Sequence, residues 1–147
     1  VDDQVYVWKG LRIMGLGGSI RYNREETFQY TEQEMRRRMR RLWFKAHRAG
    51  GIDLLLTHSP AAGLNDGNDR AHKGFACFND LLEEYQPKWF VHGHVHLSYN
   101  ANLPRVCTHG QTTVINATER YTFEIPDPDP VARRRFFWND PAFPTKN

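Results

Sequence analysis

Two short runs near the start of the chain, Gln4–Trp8 (QVYVW) and Leu11–Leu16 (LRIMGL), are rich in β-branched, aromatic and aliphatic residues. Only Lys9-Gly10 separates them, and a two-residue connection of that kind predicts a β-hairpin. Gly17-Gly18-Ser19 follows as a tight turn. A Gly-rich turn can cradle phosphate, but no helix pattern begins directly after this one, so a plain turn is the preferred reading.

The period then changes from two to about 3.6. Met35, Met39, Leu42, Trp43 and Ala46 fall on one stripe of a helix. Thr31 and Glu34 have the spacing of a capping box at its start, and Gly50-Gly51 stops it. Arg36, Arg37, Arg38, Arg40 and Arg41 take the other faces and read as a solvated outer surface rather than a nucleic-acid surface. Ile52–Thr57 (IDLLLT) is a short apolar run expected to be a buried strand. A polar loop over 61–73 follows, carrying Asp66, Asp69, Arg70 and His72.

Phe75, Phe78, Leu81, Leu82 and Tyr85 predict a second amphipathic helix, ended by Gln86-Pro87. Trp89–Val91 begins another buried strand. Thr112–Ala117 and Tyr121–Ile125 read as a closing hairpin. Pro126-Asp127-Pro128-Asp129-Pro130 opens an extended tail, with Arg133–Trp138 (RRRFFW) beyond it. The expected division is one α/β domain over 1–125 and a Pro/aromatic tail over 126–147 packed on it.

Composition narrows the class. The chain has 147 residues, enough for one domain with a core that needs no disulfide or metal staple. Apolar residues make up 39% and charged residues 25%, with a net charge of +3. That balance reads as globular, and the charge does not by itself argue for nucleic acid. Cys77 and Cys107 fit no C-x-x-C pattern and suggest a reducing, cytoplasmic setting. No apolar run is long enough to span a membrane. The start at Val1 rather than Met is read as a sign of further sequence upstream.

The chemistry-bearing feature is FVHGHVHLSYN, residues 90–100, which holds three of the 7 histidines. His94 and His96 follow one predicted strand and His58 follows another. A helical crossover joins the two strands, so they should run parallel, with their carboxyl ends together. That brings His58 close to His94 and His96. Positions i and i+2 of an extended chain share a face, and neutral imidazole is a common metal ligand. A metal site over His58, His94 and His96 and a polar loop with incidental histidines both remain open on spacing. His92 lies inside the strand and is read as a core or supporting histidine, with Gly93 as the turn.

Thr57-His58-Ser59-Pro60 and Gly93-His94-Val95-His96 resemble the last two signature motifs of the calcineurin-like metallophosphoesterases. Gly15–Ser19 and Val114–Ala117 are also similar to bacterial members, so the resemblance covers most of residues 5–125. It implies the C-terminal part of a layered α/β/β/α sandwich with mixed sheets. It also implies hydrolysis of a phosphomonoester or phosphodiester at two divalent ions (Mn, Fe, Zn or Ni), with His58 and His94 on one and His96 on the other. Arg70, His72 and Asn116 are candidate substrate-binding residues.

The family's Asp-x-His, Gly-Asp-x-x-Asp and Gly-Asn-His-[Asp/Glu] motifs are not in this sequence. The expectation is therefore a chain that supplies the His-rich half of a site and is inactive alone. Its partners would be a phosphate-ester substrate and the N-terminal half of the same domain. The alternative is a non-catalytic three-histidine metal-binding or scaffold domain.

Overall fold

The computed structural model describes residues 1–23, 27–99 and 103–126. Strands β1 (Gln4–Trp8) and β2 (Leu11–Leu16) form the expected hairpin. Lys9 and Gly10 both take positive φ, 45° and 82°, as a type I′ turn requires. Two-residue strands β3 (Ser19–Ile20) and β4 (Gln29–Tyr30) make a small parallel pair. Helix α1 spans Glu32–Arg48 behind a complete capping box: Thr31 Oγ1 accepts from Glu34 N and the Glu34 carboxylate accepts from Thr31 N.

Strand β5 (Leu54–Thr57), helix α2 (Ala76–Tyr85), strand β6 (Trp89–His92), a 3-10 turn (Leu97–Tyr99) and strands β7 (Val106–His109) and β8 (Thr112–Asn116) complete the order. Six strands form one sheet in the order β1-β2-β5-β6-β8-β7. The inner four are parallel and the two edges antiparallel, so the sheet is mixed.

The parallel strands are apolar on both faces, as expected for a sheet covered on both sides. Met14, Leu16, Leu55, Phe90 and Val114 face α1 and α2 and join Met35, Leu42, Phe75 and Phe78 in the larger core. Leu11, Leu54, Val91 and Ile115 point the other way, toward Phe123 and Ile125. The result is one helical layer and one sheet layer of an α/β sandwich.

Three local expectations change. The closing hairpin pairs β7 with β8, and 121–125 forms no strand. Strand β8 already has β6 on one side and β7 on the other, so the 121–125 segment contributes apolar side chains instead of a ladder. Trp43 is 44% exposed, and its indole donates to Glu84 on α2. Arg38 leaves the solvated face: it is buried over the Tyr30 ring and paired with Asp2 and Asp3. Beyond Pro126, the expected tail lies outside the described residues.

Candidate metal and phosphate site

Leu54–Leu56 of β5 pairs in parallel with Trp89–Val91 of β6. Residues just past both strands therefore emerge at the same edge of the sheet, where ligands of open α/β sheets gather. His58 leaves β5 there, and His94 and His96 leave β6. The backbones are tied directly: Gly93 N donates to His58 O at 3.0 Å, and His58 N donates to Leu16 O at 3.2 Å.

The turn after β6 is strained, and the strain falls on His94 rather than on Gly93. His94 has φ +69° and Val95 N donates to Gly93 O at 2.8 Å, which together define a tight three-residue turn with His94 at its apex. A side-chain-bearing residue holds such a conformation only when its surroundings fix it. Here the Val95 carbonyl is clamped by Asn116 Nδ2 at 2.8 Å and Thr118 Oγ1 at 3.0 Å. Asn116 Oδ1 in turn accepts from Thr118 N. Asn116 has no exposed surface, so the structure places this substrate candidate beneath the turn, with its amide committed to the scaffold.

The clamp presents the His94 ring in one orientation. Nε2 lies 2.8 Å from the Ala71 carbonyl oxygen. A carbonyl only accepts, so Nε2 carries the proton, and in the neutral ring Nδ1 keeps its lone pair. That nitrogen faces His58 Nε2 at 3.0 Å. His58 Nε2 either donates its proton to that lone pair or, deprotonated, shares a cation with it. Two nitrogens bound to one tetrahedral zinc at its usual bond length stand about 3.3 Å apart, close to this separation, although the rings would have to turn so that both lone pairs converge on the ion.

Both rings favour the neutral, metal-binding form. Partial desolvation of His58 lowers its pKa, and the neighbouring His94 charge lowers it further. His94 is lowered first by burial and then by His72 and His96, against an opposing hydrogen bond to Ala71.

His96 is exposed. It borders a cleft of about 410 Å³ whose other wall is Gly67, Asp69 and His72 of the 61–75 loop. His72 Nδ1 sits 2.8 Å from an Asp69 carboxylate oxygen, and its ring centroid is 5.2 Å from that of His94. Arg70, next along the loop from Asp69, is exposed and outside the cleft lining. Among the described residues no cluster of three or more His, Cys, Asp or Glu side chains is disposed to hold a metal ion. The structure thus joins His58 to His94, sets the His72 ring beside that of His94, and puts His96 with His72 on the cleft.

His92 is 1% exposed and packs against Phe90, and burial lowers its pKa to about 4. Its Nδ1 meets the Gly93 carbonyl, while among the described residues its Nε2 has no partner. It belongs to the sheet interior.

Less than half of the chain is similar in sequence to UPF0046 and metallophosphoesterase domain-containing proteins, a partial relationship to the calcineurin-like metallophosphoesterases. No family model matches the sequence. Over 73 residues, 45% of the chain, it is 38% identical to the UPF0046 protein C25E10.12 of Caenorhabditis elegans, covering 24% of that protein. Over 71 residues it is 32% identical to metallophosphoesterase domain-containing protein 1 of Homo sapiens, covering 20% of it. The matched segment thus spans a quarter or less of these relatives.

Solved structures agree on the fold. TT1561 of Thermus thermophilus superposes with a TM-score of 0.51 at 15% identity, over 79% of this chain and 48% of that one. A further solved chain gives 0.56 at 18% identity, over 80% and 44%.

Proposed function

We propose that this chain carries the histidine-bearing part of a metal-dependent phosphoesterase site. One observation supports the reading most directly: His58 Nε2 and His94 Nδ1 face each other at 3.0 Å from the ends of neighbouring parallel strands. In this reading His58 and His94 hold one divalent ion and His96 a second. When bound, such ions neutralise phosphate oxygens and lower the pKa of water.

The chain's own residues bind and orient. The Asn116–Thr118 clamp keeps His94 in its strained turn, so its nitrogen is aimed before any ligand arrives. The phosphate ester occupies the cleft between His96 and the 61–75 loop. In this reading His72, held by Asp69, donates a hydrogen bond to an ester oxygen there, and exposed Arg70 adds positive charge at the loop. The bridging carboxylates come from a companion segment, the other half of the domain. A cytoplasmic setting fits the unbridged Cys77 and Cys107.

Calorimetric titration with Mn²⁺ or Zn²⁺ tests the reading, together with hydrolysis of bis(p-nitrophenyl) phosphate. The 147 residues alone should bind metal without turnover, and His94→Ala should abolish the binding. Unchanged binding in His94→Ala would sink the proposal. Binding that never becomes turnover with any companion segment would favour a non-catalytic metal-binding domain.

A further inference from the structure

We infer that Asp69 is a positioning residue that sets the tautomer of His94 through the peptide between Ala71 and His72. Besides pairing with the His72 ring, Asp69 reaches His94 through backbone. Its Oδ1 accepts from Ala71 N at 2.9 Å and from His72 N at 3.2 Å. In a trans peptide the N–H and the C=O point in opposite directions. The His72 N–H and the Ala71 C=O belong to the same peptide unit, and the chain has no cis bonds among its described residues. Anchoring the N–H on Asp69 therefore turns the Ala71 carbonyl away from Asp69, and it meets His94 Nε2 at 2.8 Å.

The connection is a relay of carboxylate, peptide and imidazole. A carboxylate commonly orients a metal-binding histidine by direct contact. Here one peptide group is inserted between them, and each hydrogen bond polarises the next. The relay fixes the Nε2 proton of His94 and leaves Nδ1 as the nitrogen aimed at His58. The loop is held rigid enough for this. Gly67 N donates to His72 O at 2.8 Å, and an added Cβ at Gly67 would come within 2.5 Å of His72 Cβ. Asp66 ties the far end by accepting from Gly74 N.

The orienting role stands on the metal-free geometry, while its consequence for affinity rests on the metal reading above. The experiment therefore has two readouts. The first is ¹⁵N NMR of the His94 ring in the metal-free 147-residue chain at about pH 8, where the imidazole is neutral. The Nε2–H form should dominate in the parent chain. Asp69→Ala should convert it to a mixture of the two forms, and Asp69→Glu should restore it at least in part.

The second readout is zinc affinity, which should fall roughly 10- to 100-fold in Asp69→Ala. Asp69 is exposed, and an unchanged amide spectrum away from 61–75 would report that the fold survives. An Nδ1–H form in the parent chain would overturn the inference, as would an unaltered Nε2–H form in Asp69→Ala. A tautomer that responds in a chain that binds no zinc would uphold the relay and count against the metal reading alone.

Discussion

His58 Nε2 and His94 Nδ1 stand 3.0 Å apart, although 36 positions separate them in sequence. The parallel register of β5 and β6 creates the contact, and the Gly93 N to His58 O bond locks it. The two rings should therefore act as one unit toward a divalent ion. His58→Ala and His94→Ala are each expected to weaken zinc binding by at least about 100-fold, the upper end of what outer contacts cost. The double variant should be hardly worse than either single one, as a thermodynamic cycle by calorimetry would measure.

Asn116→Ala should unsettle the fold more than an ordinary loop substitution. It removes the Nδ2 bond to Val95 O and the Oδ1 bond from Thr118 N, both in a fully buried place. Two such bonds together contribute about 2–3 kcal/mol. Urea unfolding should show a lower midpoint with an unchanged slope. His94, freed from its strained φ, should also lose its fixed ring orientation.

Glu32 caps a helix other than its own. Phase and periodicity place it in the first turn of α1, yet its carboxylate accepts from Ala76 N at 3.1 Å and Cys77 N at 2.6 Å, at the start of α2. Phe75, the N-cap of α2, offers no side-chain bond of its own. Glu32→Ala should cost about 1–2 kcal/mol, a capping loss with a charged acceptor. Chemical denaturation of the two proteins side by side measures it.

The Arg12–Asp53 pair gives the chain an acid-sensitive contribution. Asp53 accepts from Arg12 N, Nε and Nη2 at 2.6–2.9 Å. Burial alone would raise the Asp53 carboxyl, but the Arg12 hydrogen bonds and charge hold it below its ordinary value. A carboxyl lowered in the folded state contributes stability that is present above the unfolded value, about pH 4, and lost as pH falls through the folded one. Asp53→Asn should therefore lower stability at neutral pH by about 2 kcal/mol. The gap to the parent chain should close in urea titrations taken below about pH 4.

Local signals carried much of this fold. The Lys9-Gly10 turn, the Thr31–Glu34 capping box and the helix-period stripe through Met35, Met39 and Leu42 each depend on neighbours within a few residues. The nearness of His58 and His94 was legible for a different reason: a helical crossover constrains two strands to run parallel, and that constraint needs no knowledge of side-chain packing.

What escaped the sequence depends on contacts across the fold. The strain at His94 is imposed by Asn116 and Thr118 from β8 and the residues after it, while Gly93 is the residue that composition would nominate. Tyr121–Ile125 has the alternation of a strand, but β8 had no open edge to offer it. The role of the Ala71 carbonyl could not be read at all, because a backbone oxygen has no letter in the sequence.

The cross-helix cap bears on the order in which the molecule assembles. An α2 whose first N–H groups are satisfied by a residue 44 positions earlier gains that stabilisation only after α1 has formed and come alongside. Closing so long a loop costs entropy before any contact rewards it. The start of α2 should consequently acquire amide-exchange protection late in refolding, after α1. Because the 61–75 loop runs directly into that helix start, the wall of the cleft should be the last part of the site to become ordered.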